Sequence, residues 1–254
     1  MKPELSKFGA PFAFRYRSNN DYTLDEIEKN YVYFANRDQL NDPFDSSPSY
    51  IELTESQEEL ELLQLELLKD TTDPLVKDYL MGTNGIKEIK NVAREKIDQY
   101  INSFGIACFS MYQANYNLWA NYANNHKGIC LQFNTIYDPK FFHNLLPVFF
   151  VSELKKIEFK PITQENELIK LLYNKLDQWK AEKELRLIKS DPGKQYYEPQ
   201  ALRNIIVGFN ADDDYVNQLI EAVKRNEANI GVYKMNKPKV HDKASYTLIH
   251  PKPI

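Results

Sequence analysis

Three short segments carry side chains whose types and spacing could do chemistry. In Glu182-Lys183-Glu184-Leu185-Arg186-Leu187-Ile188 a strand is entered by two glutamates. Alternation puts Glu182, Glu184 and Arg186 on one face, with the glutamates roughly 6.6 Å apart along the chain. One carboxylate could then meet a substrate hydroxyl while the other accepts a proton; the alternative is an ion-paired face of an edge strand. In Phe12-Ala13-Phe14-Arg15-Tyr16-Arg17 the two arginines share a face. Like charges so placed need acids or an anion to answer them. A guanidinium meets phosphate through two parallel hydrogen bonds, which suits a pyrophosphate. Pairing of Arg15 and Arg17 with Glu182 or Glu184 is the other solution, and it would join the two segments.

The third segment runs from Ala107-Cys108-Phe109-Ser110 through Trp119, Tyr122 and His126 to Gly128. Ser110 stands at a strand end, where a hydroxyl can reach a ligand. Trp119, Tyr122 and His126 are three and four apart, so they share one face if a helix persists. That stripe is either core packing or an aromatic surface against a cofactor. Gly128 is expected to supply a left-handed turn into the next strand. A polar loop, Asn41-Asp42-Pro43-Phe44-Asp45, reads as a turn; Asp42 and Asp45 are also potential metal ligands. Neither cysteine, Cys108 or Cys130, has an acid or histidine placed by sequence to activate it.

The elements that must hold these residues follow from periodicity. Strands are expected at 12–17, 31–34, 105–110, 128–133, 148–151, 184–188, 204–208 and 230–235. Thr23 with Glu26 three residues on predicts a capped helix reaching about residue 30. Further helices are expected near 115–124, 163–180 and 213–227. Between the second and third strands, residues 54–102 repeat leucine and isoleucine at helical spacing, broken at Pro74 and at the Gly82 and Gly85 turn. Residues 52–102 hold 12 acidic and 6 basic side chains, the pattern of a solvated helical face. The expectation is an α+β fold with a mixed, mainly antiparallel sheet, flanking helices and an acidic all-helical insertion at about 54–102. The 254 residues are read as one domain, 1–254. Several gaps between strands are too short for a crossover helix, which argues against a regular βαβ repeat.

Composition closes several routes. The eight glycines form neither GxGxxG nor GxxxxGK[ST], and the four histidines form no HExxH. A net charge of −4 makes the chain as a whole no basic nucleic-acid glove. Two cysteines are too few for a disulfide scaffold or a four-cysteine zinc site. No stretch is apolar enough for a bilayer span or a signal peptide, so the expected location is the cytoplasm, with no membrane partner.

Taken in order, several segments resemble a bacterial family known only as domain of unknown function twenty-nine seventy-one. They are Tyr16-Arg17-Ser18 before Tyr22-Thr23-Leu24, Val32-Tyr33-Phe34, Leu40-Asn41-Asp42-Pro43-Phe44-Asp45, Cys108-Phe109-Ser110, Leu118-Trp119-Ala120-Asn121-Tyr122-Ala123, His126-Lys127-Gly128-Ile129-Cys130, and Trp179 ahead of Glu182-Lys183-Glu184-Leu185-Arg186. Leu40 stands where the family usually has Phe, and Ala181 where an aromatic often precedes the first glutamate. A looser resemblance links the order arginine, serine, Glu-x-Glu to the Arg-Ser-Glu layout of ADP-ribosyltransferases, which bind NAD without GxGxxG. That resemblance implies NAD as substrate, with Arg17 or Arg15 on its phosphates and Ser110 on the nicotinamide ribose. It implies that Glu184 stabilises an oxocarbenium-like state and that Glu182 acts on the acceptor. Tyr122 or Trp119 would stack on nicotinamide, with His126 on the same stripe. The implied function is ADP-ribosyl transfer or NAD hydrolysis, as a toxin or phage-defence effector, on an acceptor (protein or nucleic acid) that the sequence does not identify. The rivals are a metal-dependent nuclease built on Asp42 or Asp45, Glu182, Glu184 and a lysine, and a non-catalytic recognition module.

Overall fold

A computed structural model describes residues 11–82, 85–159, 165–226, 228–237 and 244–250. In chain order its elements are β1 (Phe12–Arg17), α1 (Asp21–Glu28), β2 (Tyr31–Phe34), β3 (Ile51–Leu53), α2 (Gln57–Asp70), α3 (Pro74–Met81), α4 (Gly85–Ser103), β4 (Gly105–Ser110), α5 (Tyr116–Asn121), β5 (Ile129–Asn134), β6 (Leu146–Pro147), β7 (Phe149–Val151), β8 (Ile157–Phe159), α6 (Glu165–Leu171), β9 (Asn174–Leu176), β10 (Glu184–Lys189), β11 (Gly193–Tyr196), β12 (Leu202–Val207), α7 (Asp213–Arg225), β13 (Gly231–Met235) and β14 (Tyr246–His250). The fold is α+β, as expected. The chain divides into two compact units. The first comprises Met1–Phe34, Ile106–Val148 and Gln178–Ile254, the second Ala35–Gly105 and Phe149–Asp177.

The first unit is built on an eight-stranded sheet in the order β14-β13-β12-β5-β1-β4-β10-β6. β1 runs antiparallel to both neighbours, β4 and β5, and β12 is antiparallel to β5. β12 and β13 are parallel, joined through α7 in a single βαβ crossover. β11 and β2 form a separate antiparallel pair.

Alternation along β1 divides the unit's core in two. Ala13 joins the larger cluster, with Phe109, Phe133, Leu185 and Leu187 from the sheet and Ile27, Tyr215, Val216 and Leu219 from α1 and α7. Phe14 and Tyr16 join the smaller one on the opposite face, with Leu118, Trp119, Cys130 and Ile206. Helix α1 starts differently from the expected capping box. Asn20 is the N-cap and accepts from the Thr23 backbone N–H at 3.0 Å, while the Thr23 hydroxyl donates to the Ser18 carbonyl at 2.7 Å. Glu26 is engaged elsewhere, as described below.

The second unit contains α2, α3 and α4, which pack on one another and account for the expected helices of 54–102. Two short parallel strand pairs, β3 with β8 and β7 with β9, accompany them. The helix expected at 163–180 is corrected. Residues 163 and 164 lie outside the described residues, α6 ends at Leu171, and Asn174–Leu176 is a strand paired with Phe149–Val151. Helical periodicity in 163–180 did not distinguish a short helix followed by a strand from one longer helix.

Two glycines let loops of the first unit close on the sheet. A Cβ on Gly128 would stand 2.1 Å from the Arg17 carbonyl oxygen, and one on Gly208 would stand 2.0 Å from that of His126. The left-handed residues of this turn are Asn124, Asn125 and His126, with φ of 45°, 52° and 65°, so Gly128 serves close approach rather than the expected turn. Gly208→Ala is therefore expected to lower stability by about 3 kcal/mol, the upper end for overpacking, because the obstacle is backbone. Chemical denaturation checks this, and a change below about 0.5 kcal/mol would contradict the close approach.

Candidate active site

The same alternation sorts the candidate residues. Phe14 of β1 lies directly across from Ser110 of β4, so Ser110 shares the face of Phe14 and Tyr16. Leu185 and Leu187 of β10 point into the larger core, which places Glu184 and Arg186 on the face of Ser110. Arg15 and Arg17 point the other way. The structure thus brings Ser110, Glu184, Tyr122 and Trp119 to one face of the sheet and sets Arg15 and Arg17 on the opposite one.

Arg15 and Arg17 meet Glu26, not Glu182 or Glu184. Arg15 Nε lies 3.3 Å from Glu26 Oε1 and Arg17 Nε 2.7 Å from Oε2. Glu26 is 1% exposed. Arg15 also donates to the carbonyls of Cys108 and Tyr33 at 3.1 and 3.0 Å, and it lies over the Phe109 ring. Burial lowers its pKa, opposed by the Glu26 charge. Its hydrogen bonds tie β1 to β4 and β2, so the structure gives Arg15 an architectural role. Arg17 stays partly open, with 28% of its side chain exposed. Sequence reasoning read Glu26 only as a capping residue. Its position on a buried helix face, opposite two like charges, was the available signal.

On the opposite face the polar groups are closely tied. Ser110 Oγ donates to the Glu182 carbonyl at 2.9 Å, and Met111 N–H donates to the Lys183 carbonyl at 3.0 Å. Lys183 is left-handed, with φ 51°. Glu182 therefore leaves the strand alternation, lying in the 3-10 helix Asp177–Glu182 while β10 begins at Glu184. The Tyr122 hydroxyl donates to Glu182 Oε1 at 2.8 Å. Arg186 holds Glu184 Oε1 through Nε at 2.9 Å and Nη2 at 2.8 Å. Both members of this ion pair are buried, Arg186 fully. The Glu–Arg ion pair of the alternative reading is therefore present, but β10 is flanked by β4 and β6 and is not an edge strand.

Around this group stands an aromatic frame that sequence reasoning only half found. Tyr16 meets Trp119 edge-on with centroids 5.3 Å apart. Its hydroxyl donates to the Tyr112 carbonyl at 2.7 Å and accepts from Asn115 N–H at 3.1 Å. Asn115 caps α5 and donates through Nδ2 to the Ala181 carbonyl at 2.6 Å. Tyr16 and Asn115 thus connect the loop after Ser110 with the segment leading to Glu182. The expected shared helix face is corrected: α5 stops at Asn121, and His126 returns through the left-handed turn. Its ring then lies nearly parallel to Trp119 at 5.9 Å and stacks on Phe209 at 4.4 Å.

Cys130 is buried in β5, and burial raises its thiol pKa. In the second unit Asp42 makes the expected turn, its Oδ1 accepting from Phe44 N–H at 2.9 Å. Asp45 is buried near Lys175 there, Oδ2 to Nζ 3.9 Å. Among the described residues no group of three or more His, Cys, Asp or Glu side chains could hold a metal ion, and no helix is long and apolar enough to cross a membrane.

Fold and site define an α+β protein with a mixed sheet and a carboxylate-bearing polar cluster on one sheet face. Residues 118–187 match the model of the family described as Protein of unknown function (DUF2971). That stretch contains Trp119, Tyr122, His126, Glu182, Glu184 and Arg186. No curated protein and no solved structure matches the chain.

Two outcomes test this geometry. Glu26→Gln leaves two arginines with one neutral partner, so a loss of about 3–5 kcal/mol is expected in chemical denaturation; Arg17→Gln, at a side chain only partly buried, should cost less. Burial lowers the His126 pKa below its ordinary 6.5. The unfolded chain then takes up the proton first, so stability is full above 6.5 and falls as the pH drops toward the folded value. His126→Phe keeps the ring and cannot titrate. Denaturation at about pH 7 and about pH 5 should show a smaller pH dependence in this variant than in wild type.

Proposed function

We propose that this protein cleaves the glycosidic bond between nicotinamide and ribose in NAD, either transferring ADP-ribose or hydrolysing it, on the sheet face that carries Ser110, Glu182 and Glu184. The observation that supports this most is that two carboxylates close in sequence are both held in place, Glu182 accepting from Tyr122 and Glu184 from Arg186. Cleavage of an N-glycosidic bond develops positive charge at the ribose C1, which an oriented carboxylate stabilises in a site that excludes water. Glu184 takes that role. Glu182 accepts the proton of the attacking hydroxyl, from an acceptor or from water, and Tyr122 orients it. Trp119 and Tyr16 form the aromatic frame behind Tyr122. The arginine changes: Arg15 and Arg17 both meet Glu26 on the opposite face, so a cation that faces Glu184 is Arg186.

A non-catalytic recognition module is the second reading, favoured by one observation. Arg186 and Glu184 are both buried and hydrogen-bonded to each other, as a purely structural pair would be. The two readings separate in one experiment. NAD consumption and melting temperature are measured for wild type, Glu184→Gln and Glu182→Gln. The catalytic reading expects Glu184→Gln to lose on the order of a hundredfold in NAD turnover with the fold retained. Glu182→Gln should lose transfer more than cleavage. Expression of wild type, but not Glu184→Gln, should deplete cellular NAD, as a toxin or defence effector would. Wild type that neither binds nor consumes NAD, with Glu184→Gln merely less stable, overturns the NAD reading and leaves the recognition module or the nuclease.

A further inference from the structure

The second unit holds a cavity of about 580 Å³ between α4 and the segment through β3, within the size range of small-molecule sites. Its apolar lining comes from Pro48, Ile51, Leu53 and Ile97. Its charged groups are Glu52, Glu55, Arg94, Asp98 and Lys156. Two of the acids are already answered: Glu52 pairs with Lys156, and Glu55 pairs with Lys90 at 2.7 Å.

Arg94 and Asp98 remain. They stand four apart on α4, so their Cβ atoms are neighbours on one helix side. Among the described residues Arg94 makes no ion pair or hydrogen bond, its charge acting only at longer range on Glu55, and Asp98 has only a long 3.4 Å contact from Asn102. They do not pair with each other; base before acid is the less favourable order along a helix. The cavity therefore presents one open cation and one open anion side by side at a pocket lined by both charged and apolar side chains. A phosphate would meet Arg94 but also Asp98, Glu52 and Glu55. A simple cation would meet Asp98 but also Arg94 and Lys156. A zwitterion with adjacent carboxylate and ammonium satisfies both at once.

We propose that this cavity binds a free apolar α-amino acid. Arg94 takes its carboxylate, Asp98 takes its ammonium, and its side chain lies against Ile51, Leu53 and Ile97. The site lies in the second unit and does not rest on the NAD reading.

The test uses the full chain and calorimetric titration with L-phenylalanine and L-leucine. N-acetyl-L-phenylalanine lacks the ammonium and L-phenylalanine amide lacks the carboxylate. Wild type should bind a free amino acid, and each blocked compound should bind at least about tenfold more weakly, the worth of one hydrogen bond to a charged group. Arg94→Gln should abolish the discrimination against the amide while keeping that against the acetyl compound, and Asp98→Asn should do the reverse. Both residues are exposed on α4, so circular dichroism melts of the variants should match wild type. No binding of either amino acid at millimolar concentration overturns the proposal. So does equal binding of free and blocked compounds, or unchanged selectivity in both variants.

Discussion

The pleat of β1 is the constraint on which the larger unit depends. This strand lies inside the sheet, between β5 and β4, and successive side chains must go to opposite faces. Ala13, Arg15 and Arg17 therefore face α1 and α7, while Phe14 and Tyr16 face Trp119 and the loop after Ser110. Two arginines sent toward a largely apolar core need an acid there, because an unpaired buried charge costs several kcal/mol. Glu26 supplies it from α1. One carboxylate thus fixes the approach of α1 to the sheet, and Arg15 fixes β1 to β2 through a carbonyl.

The opposite face follows from the same register. With Phe14 across from Ser110, the Ser110 hydroxyl is available to the Glu182 carbonyl, and the chain turns through a left-handed Lys183 before β10 begins. That kink separates the two glutamates. Glu184 stays in strand alternation beside Arg186, while Glu182 swings out to the Tyr122 hydroxyl. Glu182 thereby accepts a hydrogen bond from a phenol, and Glu184 accepts from a guanidinium. Paired carboxylates whose surroundings differ are the usual basis for dividing acid–base and electrostatic roles. The aromatic frame has a similar dependence, since His126 reaches Trp119 and Phe209 only through three consecutive left-handed residues closed against Gly208.

The sequence by itself determined the elements whose signal is local. The alternation in 12–17, the aromatic strand at 31–34, the helical leucine spacing after residue 54 and the strand at the second glutamate all appear where periodicity places them. The candidate residues Ser110, Trp119, Tyr122 and Glu184 were legible as residue types at strand ends and helical spacing, and an ion pair of Glu184 with Arg186 was the alternative to a catalytic pair. Only the tertiary structure decided which face each group shared. Arg15 and Arg17 alternate correctly in sequence, but sequence alone does not say which side of the sheet that is, because the answer depends on strand order and on the Phe14–Ser110 register, both set by contacts distant along the chain. Glu26 was hidden for the same reason: its pattern fits a capping box, and only the packing of α1 reveals it as a buried counterion. The short strands β8, β9 and β11 were unreadable because three or four residues carry little period, and their pairing energy comes from partners elsewhere in the chain.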